Sequence, residues 1–384
     1  MEKHKPKVIV DVFYLYVAKT GIKTYIVTLC DEILKKNNSG FEYIISPNYQ
    51  KVKQNQFFRG KTAKWKNILF QLLYFFRKQV SLPILSYFHQ AAIVFSPDIL
   101  SPVFAKGKKV SVVHDTFFWD NPEHYQALWL NYYLFFLHQG LKKNGAIITI
   151  TEYSKSRLRE MGLFANVPIS VVHQASYLQS STKTAEDPFP FPYFLHVGVL
   201  EKRKNLGMLI EAFAQLVDAE EYTNLKLVLV GQRGPRETLD DFENLQGLVK
   251  KYALQEKVLF PGYLSENEVK RYFSNALAYV FPSNNEGFGL PVLEAFFHGL
   301  PVIISNQGAL KEVAGNAALI LEENSVSCLL EALQQVASNP DLQEELIQKG
   351  TKRLQEFSTN KFFLHLERAF KELLNEKPFH QNNL

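Results

Sequence analysis

Residues 281–294 read FPSNNEGFGLPVLE. This segment begins at the end of a predicted strand, passes through a loop that contains two glycines, and enters a predicted helix. Pro291 suits the first helical position, where its missing N–H leaves no hydrogen bond unmade. A strand, a tight loop and a helix in direct succession are the repeating element of parallel α/β folds.

Two carboxylates flank the predicted helix start. Glu286 precedes the turn and Glu294 lies one turn inside the helix, with seven residues between them. The backbone N–H groups from Phe288 to Val292 can face an anion there. If Glu294 points back towards the ligand, the two carboxylates would bind hydroxyls at opposite ends of a nucleotide sugar. The alternative is that Glu294 only caps the helix or forms a salt bridge.

The alternation of strand and helix continues along the chain in both directions. Short segments rich in β-branched residues are predicted as strands, and longer amphipathic segments as helices. The predicted strands are residues 7–12, 42–45, 92–95, 109–113, 146–149, 169–172, 193–197, 225–230, 258–260, 277–281, 301–304 and 319–320. The predicted helices include residues 22–36, 124–143, 205–217, 237–252 and 291–298, and most of the chain from 321 to 375. Asn205 is the predicted cap of its helix, and residues 265–268, SENE, predict a capping box.

Residues 177–192 interrupt this alternation with turn-forming residues, so we place an interdomain linker there. The chain then divides into α/β domains at residues 1–180 and 190–358, each of about Rossmann size. With 384 residues, 46% of them hydrophobic, it is long enough for two cores. Two cysteines exclude a disulfide framework and fit a reducing compartment. We expect no signal peptide, and no spanning helix because polar residues interrupt the longest uncharged segments.

Charge is divided unevenly between the two halves. Residues 1–186 contain 24 Lys and Arg against 12 Asp and Glu, whereas residues 187–384 contain 19 against 26. No acidic residue occurs between Glu42 and Asp98. This split indicates that the N-terminal half meets an anionic partner, either a nucleic acid, an anionic membrane or a phosphorylated substrate.

The loops after the strands carry the candidate site residues, because ligands of parallel α/β sheets bind beyond the carboxyl ends of the strands. Neither a dinucleotide-binding glycine fingerprint nor a P-loop is present, which argues against a nicotinamide enzyme and a P-loop NTPase. Gly21 follows the first strand; it allows close approach of a ligand, or it is a plain loop glycine. His114 and Asp115 follow the fourth strand and would present an imidazole to a sugar or phosphate, or form a structural pair.

Three consecutive cations, residues 202–204, follow the strand at 193–197 and precede a predicted helix. Lysines ordinarily avoid the positive end of a helix dipole. Their crowding here is explained if an anion such as a diphosphate neutralises them; a solvated run of charge is the alternative.

Together these segments resemble the retaining glycosyltransferases of family 4, which have the GT-B fold. The resemblance covers residues 198–205, 227–231, 260–264, 286–294, 299–302 and 308–313, and more thinly residues 20–25, 114–115 and 151–154. It implies two Rossmann-like, doubly wound domains that face each other across a cleft, with residues 359–384 as a helix that returns to the N-terminal domain. It also implies that the N-terminal domain binds the acceptor and the C-terminal domain a nucleotide-diphosphate sugar.

The resemblance assigns a donor-binding role to five residues of the C-terminal half. Glu294 would hold the ribose hydroxyls of the donor. Arg203 and Lys204 would neutralise its diphosphate, helped by the N–H groups near Gly289 and Leu290.

The resemblance also places residues around the transferred sugar. Glu286 and the backbone at Phe288 would contact that sugar. His114, with Asp115 beside it, would approach the sugar from the N-terminal domain near its anomeric centre, and Gly21 would approach the phosphates or the acceptor.

For the chemistry, the resemblance implies retention of the anomeric configuration, with a leaving-phosphate oxygen taking the acceptor proton. It implies no metal ion and no cofactor beyond the donor. Backbone groups near Gly262 would read the base, and the KRKN form of the phosphate motif resembles the branch that often uses GDP-mannose; a UDP-sugar is the alternative donor. Many members have arginine where this chain has Val199, so Arg203 and Lys204 would carry the phosphate charge alone.

A basic and aromatic segment stands out in the N-terminal half. Residues 51–78 contain eight Lys and Arg and no acid, and six apolar residues recur there at helical spacing: Trp65, Ile68, Leu69, Leu72, Leu73 and Phe76. The pattern is typical of an interfacial amphipathic helix, so we expect docking on an anionic membrane. The alternative is that the apolar stripe is core. Nucleic-acid binding is disfavoured because no nucleic-acid motif appears.

The sequence therefore predicts a hexosyltransferase that acts on a glycan or lipid-linked acceptor in surface polysaccharide biosynthesis, at the cytoplasmic face of the cell membrane. Two rival functions stay open at this point. One is a nucleotide-sugar epimerase or a phosphorylase on the same fold, and the other is a non-catalytic sugar-nucleotide or membrane-binding module.

Overall fold

A computed structural model describes residues 4–36, 38–60, 63–176, 189–234 and 237–375. The described residues of 1–177 and 358–384 form one unit, which we call unit 1, and those of 178–357 form unit 2. Most of the predicted linker, residues 177–188, and the end of the predicted last helix, residues 376–384, lie outside the described residues. Within the described ranges no helix is both long and apolar enough to cross a bilayer.

Unit 1 is built on a six-stranded parallel sheet with strand order β2-β1-β3-β4-β5-β6. Its strands are β1 Lys7–Asp11, β2 Glu42–Ser46, β3 Ile93–Ser96, β4 Lys108–Val113, β5 Gly145–Thr149 and β6 Ile169–Val171. Strands β3 and β5 are buried along their whole length, as expected for a parallel sheet covered by helices on both faces. All six predicted strands are confirmed, with ends that differ by at most one residue.

Among the described residues of unit 1, seven α-helices precede the interdomain segment. They are α1 Thr20–Lys35, α2 Tyr49–Gln54, α3 Lys64–Phe76, α4 Leu82–Phe88, α5 Phe117–Asp120, α6 Ala127–Lys142 and α7 Glu152–Glu160. A π-helical turn, Arg77–Ser81, joins α3 directly to α4. Helix α7 begins after Thr151, whose hydroxyl accepts a hydrogen bond from the Ser154 N–H at 3.2 Å.

Unit 2 repeats the plan of unit 1 with strand order β12-β11-β10-β7-β8-β9. Its strands are β7 Tyr193–Val197, β8 Lys226–Val230, β9 Val258–Gly262, β10 Ala278–Phe281, β11 Val302–Ile304 and β12 Leu319–Ile320. All registered pairs in this sheet are parallel. The six strands predicted for this half are confirmed to within two residues at each end.

The helices of unit 2 are α8 Leu206–Val217, α9 Phe242–Lys251, α10 Glu266–Asn275, α11 Leu290–Phe297, α12 Leu310–Ala314, α13 Val326–Ser338 and α14 Pro340–Leu354. The predicted capping box is confirmed: the Ser265 hydroxyl accepts from the Glu268 N–H, and the Glu268 carboxylate accepts from the Ser265 N–H. Asn205 holds the predicted N-cap position of α8, but the prediction that its side chain caps the helix is wrong. Asn205 has a left-handed backbone, φ +54°, and its amide contacts Met208 Sδ at 3.4 Å instead of the helix N–H groups.

The last helix, α15 Thr359–Asn375, belongs to unit 1. Its Phe370 is fully buried, and the centroid of the Phe370 ring lies 5.8 Å from the ring centroid of Phe41 and 5.0 Å from that of Phe95. The buried Glu367 accepts hydrogen bonds from the hydroxyls of Ser39 and Tyr43. Apolar burial along one face therefore holds this helix against the first strands of the chain.

Candidate functional site

Each sheet has one point at which its strand order reverses, and such switch points are where open α/β sheets bind ligands. In unit 2 the reversal lies between β7 and β10, which are direct neighbours. The loop after β7 carries the three cations, and the loop after β10 carries Glu286. The fold therefore brings together the two segments that the sequence singled out separately.

The cations after β7 form a short 3₁₀ turn, Lys202–Lys204. The Arg203 carbonyl accepts a hydrogen bond from the Asn284 N–H at 2.8 Å and another from the Ser283 hydroxyl at 3.0 Å. One backbone and one side-chain hydrogen bond thus fix the cation turn to the loop after β10.

Glu286 is at the centre of an ion cluster. Its Oε1 lies 2.7 Å from Arg203 Nη1 and 2.5 Å from Lys204 Nζ, and the Nε of Arg203 lies 2.8 Å from Glu201 Oε2. Lys204 and Glu286 are both buried, and Lys204 Nζ also lies 4.6 Å from the centroid of the Phe281 ring. Burial alone would raise the pKa of Glu286, but Lys204 and Arg203 outweigh it and lower the pKa below 4.5. Lys204 is buried, the Arg203 side chain is 32% exposed and Lys202 is exposed. The chain itself supplies carboxylates to Arg203 and Lys204, whether or not a ligand is bound.

Three residues that the sequence interpretation gave no role fix the Glu286 carboxylate and backbone. The Ser283 hydroxyl donates to Glu286 Oε1 at 2.9 Å, and the Ser305 hydroxyl donates to the Ser283 carbonyl at 2.5 Å. Gly308 has φ +62°, and a Cβ there would lie 2.6 Å from the Glu286 backbone nitrogen. Gly308 lies in a segment of the resemblance and Ser283 in the quoted loop, but no sequence pattern assigned a role to them or to Ser305, because serines and glycines are common in loops and only the folded contacts distinguish these.

The helix start at α11 differs in detail from the prediction. The helix begins at Leu290, so Pro291 is its second residue rather than its first. The Val292 N–H donates to the Gly289 carbonyl at 2.9 Å and is therefore not available to an anion. Gly289 has φ +100°, and a Cβ there would lie 2.7 Å from Leu310. Phe288 is buried, so only its backbone can reach a ligand.

Glu294 lies inside α11 in an environment opposite to that of Glu286. Its side chain is half-buried, and no described residue forms an ion pair or side-chain hydrogen bond with it. Burial, with a smaller contribution from Glu266, raises the pKa of Glu294 to about 7. The interpretation of Glu294 as a capping or salt-bridged residue is therefore wrong, and the carboxylate is left with unused hydrogen-bonding capacity.

Gly262 closes β9 with φ +78°, and its carbonyl accepts a hydrogen bond from the Gly231 N–H at 3.0 Å. A Cβ on Gly231 would overlap the Gly198 carbonyl, at 1.6 Å. The next residue after Gly262, Tyr263, is exposed. The ends of β7, β8 and β9 therefore meet closely through glycines. The backbone groups near Gly262, at the end of β9, are the ones that the resemblance associates with the base.

In unit 1, His114 directly follows β4. Its Nε2 lies 2.8 Å from the Pro97 carbonyl, and its ring packs edge-on against Tyr25 at 5.1 Å. Burial lowers the pKa of His114 to about 4, so the imidazole is neutral at pH 7. The structural His–Asp pair is wrong, since the Asp115 carboxylate accepts from the Phe117 N–H at 3.1 Å.

Gly21 is the second residue of α1, and its carbonyl accepts a hydrogen bond from the buried Gln174 side chain at 3.0 Å. Tyr25, one turn further along α1, is the residue that packs against His114. The fold thus places Gly21, His114 and Asp115 on neighbouring segments of unit 1, and the remaining predicted site residues in unit 2.

Comparison with known proteins adds independent information. Residues 183–353 match the model of a family described as glycosyl transferases group 1. An O-antigen chain mannosyltransferase of Escherichia coli is 28% identical over 263 residues, 65% of this chain and 67% of that protein. An O-antigen chain mannosyltransferase of Salmonella typhimurium is 28% identical over 214 residues, 55% of this chain and 56% of that protein. The chain spans only about half to two thirds of the length of these relatives.

A solved structure compares over nearly the whole chain. A sucrose-phosphate synthase from Thermosynechococcus elongatus aligns with a TM-score of 0.68, covering 96% of this chain and 99% of its own, at 17% identity. At that identity the likeness shows the fold alone. It confirms the predicted α/β class of two Rossmann-like domains, the GT-B fold.

Proposed function

We propose that this chain is a hexosyltransferase of the group 1 glycosyl transferases, whose family model matches residues 183–353, and that it transfers a hexose from a nucleotide-diphosphate sugar with retention and without a metal ion. The acceptor is a glycan or a lipid-linked sugar of a surface polysaccharide. The names of the two O-antigen chain mannosyltransferases favour mannose, carried as GDP-mannose. The observation that carries the proposal is the Arg203–Lys204–Glu286 cluster at the switch point of unit 2.

The donor diphosphate binds beside that cluster. Glu286 holds the charged N–H groups of Arg203 and Lys204 in fixed orientations. The two cations are therefore already ordered when the diphosphate binds. Each charge-assisted hydrogen bond to a phosphate is worth roughly 1.5–3 kcal/mol. With two fixed cations, the protein itself can offset the charge that develops on the leaving group, which supports transfer without a metal ion.

The two glutamates have separate roles in this proposal. Glu286 is held as a carboxylate by its cations, and it orients hydroxyls of the hexose rather than attacking it. Glu294 is available for the ribose hydroxyls, because its carboxylate lacks a partner among the described residues. Burying an unpaired carboxylate is unfavourable, and two ribose O–H donors relieve that cost.

The chemical step balances without an added base. The bond between the anomeric carbon and the donor phosphate oxygen breaks, and the acceptor oxygen bonds to that carbon on the same face. The acceptor proton passes to the leaving phosphate oxygen. The neutral His114 contributes a hydrogen bond to the hexose, since its Nε2–H is already donated to the Pro97 carbonyl and its Nδ1 is an acceptor.

The test is release of free nucleotide diphosphate from GDP-mannose, UDP-glucose and ADP-glucose, with and without a lipid-linked or oligosaccharide acceptor. We expect one of these sugars to release nucleotide diphosphate only when an acceptor is present. At a concentration of a hundred times its Kd, the same sugar should raise the free energy of unfolding by about 2.7 kcal/mol. Lys204→Met and Glu286→Gln should each lower kcat/KM by at least about a hundredfold.

Other outcomes separate the rival functions. Conversion of the donor without acceptor would indicate an epimerase, and phosphate-dependent cleavage a phosphorylase. Donor binding with no turnover for any acceptor would favour a binding module. Full turnover by both variants would refute the assignment of the cluster.

We further propose that unit 1 docks on an anionic membrane through α3 and its neighbours. The apolar stripe of α3 faces outward: Trp65, Ile68, Leu72 and Phe76 are each more than half exposed. The predicted alternative, a stripe buried as core, is wrong, because α3 packs through Phe70 and Tyr74 instead. Further exposed apolar residues lie on α4 and α6, namely Ile84, Tyr87, Phe88, Leu128, Tyr132 and Phe135.

The charge of this surface is smaller than the sequence suggested. Arg77 and Lys78, two of the eight basic residues in 51–78, are buried in ion pairs and cannot reach lipid. Lys51 and Lys64 are exposed, and each such residue near an anionic surface contributes about 1 kcal/mol.

Vesicle co-sedimentation tests the docking proposal. We expect binding to vesicles with 30% phosphatidylserine, weakened by salt, and roughly tenfold weaker binding for the double variant Ile68→Ser/Leu72→Ser. The matched control is Leu34→Ser/Leu364→Ser, which removes two equally exposed leucines on other helices of unit 1. Equal loss in both variants, or no binding by the wild type, would refute docking through α3.

A further inference from the structure

The switch point of unit 1 is occupied by the protein's own charges. It lies between β1 and β3, and each of these strands brings a carboxylate to it. Asp11 is the last residue of β1, and Asp98 follows β3 by two residues. Lys78 Nζ lies 2.8 Å from Asp11 Oδ2 and 2.8 Å from Asp98 Oδ1, and Arg77 Nε lies 3.1 Å from Asp11 Oδ1. Lys78 is 1% exposed, so this is a fully buried network of two anions and two cations.

Lys78 is the centre of that network. Besides the two carboxylates, its Nζ contacts the Ser96 hydroxyl at 3.2 Å. It stands in the π-helical turn after α3, which widens the helix and directs two successive cations to the sheet edge. The second oxygen of Asp98 accepts a hydrogen bond from the Tyr74 hydroxyl, one turn earlier on α3. Helix α3 therefore cross-links the ends of two neighbouring strands.

The loop that Lys78 holds is also the loop that orients His114. Asp98 is adjacent to Pro97, and the Pro97 carbonyl lies 2.8 Å from His114 Nε2. A carbonyl oxygen can only accept, so this contact places the hydrogen on Nε2 and leaves Nδ1 as the acceptor. A displacement of Asp98 would move the carbonyl, and the imidazole would lose both its orientation and its tautomer.

We propose that Lys78 is a positioning residue for His114: by fixing Asp98, it holds the Pro97 carbonyl that sets the ring orientation and the Nε2–H tautomer of His114, the residue proposed above to contact the transferred hexose. This proposal rests on the proposed function only where its test measures turnover; the measurement of the His114 tautomer does not depend on it. Sugar-transfer geometry is sensitive to small errors, since a misplacement of about 1 Å can lower a rate by about a hundredfold. A network that serves only to anchor α3 would not select the His114 tautomer.

The test compares Lys78→Met with Lys109→Met. Lys109 is a matched control because it is also a buried lysine of this sheet, near the amino end of β4, and its Nζ donates to the Val103 carbonyl at 2.8 Å. We expect Lys78→Met to lower kcat by at least about tenfold with donor Kd within twofold of wild type, and Lys109→Met to leave both unchanged. Tyr74→Phe removes one hydrogen bond to Asp98, together with a 3.4 Å contact to the Tyr133 hydroxyl, and keeps Lys78. It should lower kcat by a smaller factor, and it takes the place of Lys78→Met if that variant does not fold.

The second measurement is the ¹⁵N spectrum of His114, assigned with His114→Gln. We expect a single Nε2–H tautomer in the wild type and in Lys109→Met, and a mixture in Lys78→Met and Tyr74→Phe. Wild-type kcat and a single tautomer in folded Lys78→Met would overturn the proposal, as would an equal loss of kcat in Lys109→Met. If no donor supports turnover by the wild type, the proposed function fails, while the tautomer measurement still tests the positioning of His114.

Discussion

Glu294→Gln should make the protein more stable and a weaker binder of nucleotide. The half-buried carboxylate has a pKa of about 7 instead of 4.5, so the folded state holds its proton more tightly than the unfolded state. A raised folded pKa means that wild-type stability falls as the pH rises through the window from 4.5 to 7. The full difference corresponds to about 3 kcal/mol at pH 8, an upper bound because the side chain is only half-buried.

Differential scanning calorimetry at pH 5 and pH 8 measures this effect. We expect the stability advantage of Glu294→Gln to grow by about 2 kcal/mol between these pH values, which is about 4–8 °C in Tm for a unit of this size. Glu266→Gln is the control: its carboxylate is exposed and makes only the smaller contribution to the pKa of Glu294, so most of the pH dependence should persist. An advantage of Glu294→Gln that is the same at both pH values would refute the reasoning.

Nucleotide binding provides the second half of the same prediction. Ribose hydroxyls donate to the ionised carboxylate, so Kd of the donor should rise about tenfold between pH 8 and pH 6 in the wild type. In Glu294→Gln the Kd should be higher and its dependence on pH should be weaker. A wild-type Kd that does not change over this range would exclude Glu294 as the ribose ligand.

Three further substitutions test the packing around the site and the fold. Gly308→Ala should lower the free energy of unfolding by about 1–3 kcal/mol and also weaken donor binding, because its Cβ would collide with the Glu286 backbone. Gly162→Ala is the control: Gly162 has φ +67° but open space around it, so this change should lower stability without affecting donor binding. Phe370→Ala should lower the stability of unit 1 by about 3–5 kcal/mol in urea denaturation, since the ring is fully buried against two other rings. Ser265→Ala should lower the stability of unit 2 by about 0.5–2 kcal/mol, through loss of the capping box, with no change in turnover.

Local errors in the prediction share one cause. Cap and first-turn preferences predict the N-cap position of Asn205 correctly, but the left-handed backbone there leaves its side chain without a capping hydrogen bond. The same preferences place Pro291 one residue too early in its helix, because α11 starts at Leu290. The alternative of a structural His114–Asp115 pair rests on adjacency in sequence alone, whereas consecutive side chains near a strand end point in different directions. Such details depend on backbone angles that no single-sequence pattern specifies.

The charged residues show the same limit more clearly. The run of Lys and Arg in 51–78 was interpreted as one basic surface, yet Arg77 and Lys78 are buried between Asp11 and Asp98. Those partners lie 66 and 20 residues away from the cations that they bind. Only the strand order of the sheet brings them together.

The amino-acid sequence by itself determined the alternation of strands and helices, the division into two α/β units and the segments that carry the site, because periodicity, turn residues and loop glycines act over a few neighbouring residues. Tertiary structure alone decided how charge is neutralised at the two switch points. It pairs Glu286 with the cations after β7, and it leaves Glu294 without a partner among the described residues. The physical reason is that burial and Coulomb attraction depend on distance in space, and distance between remote segments is set by the packing of the whole sheet.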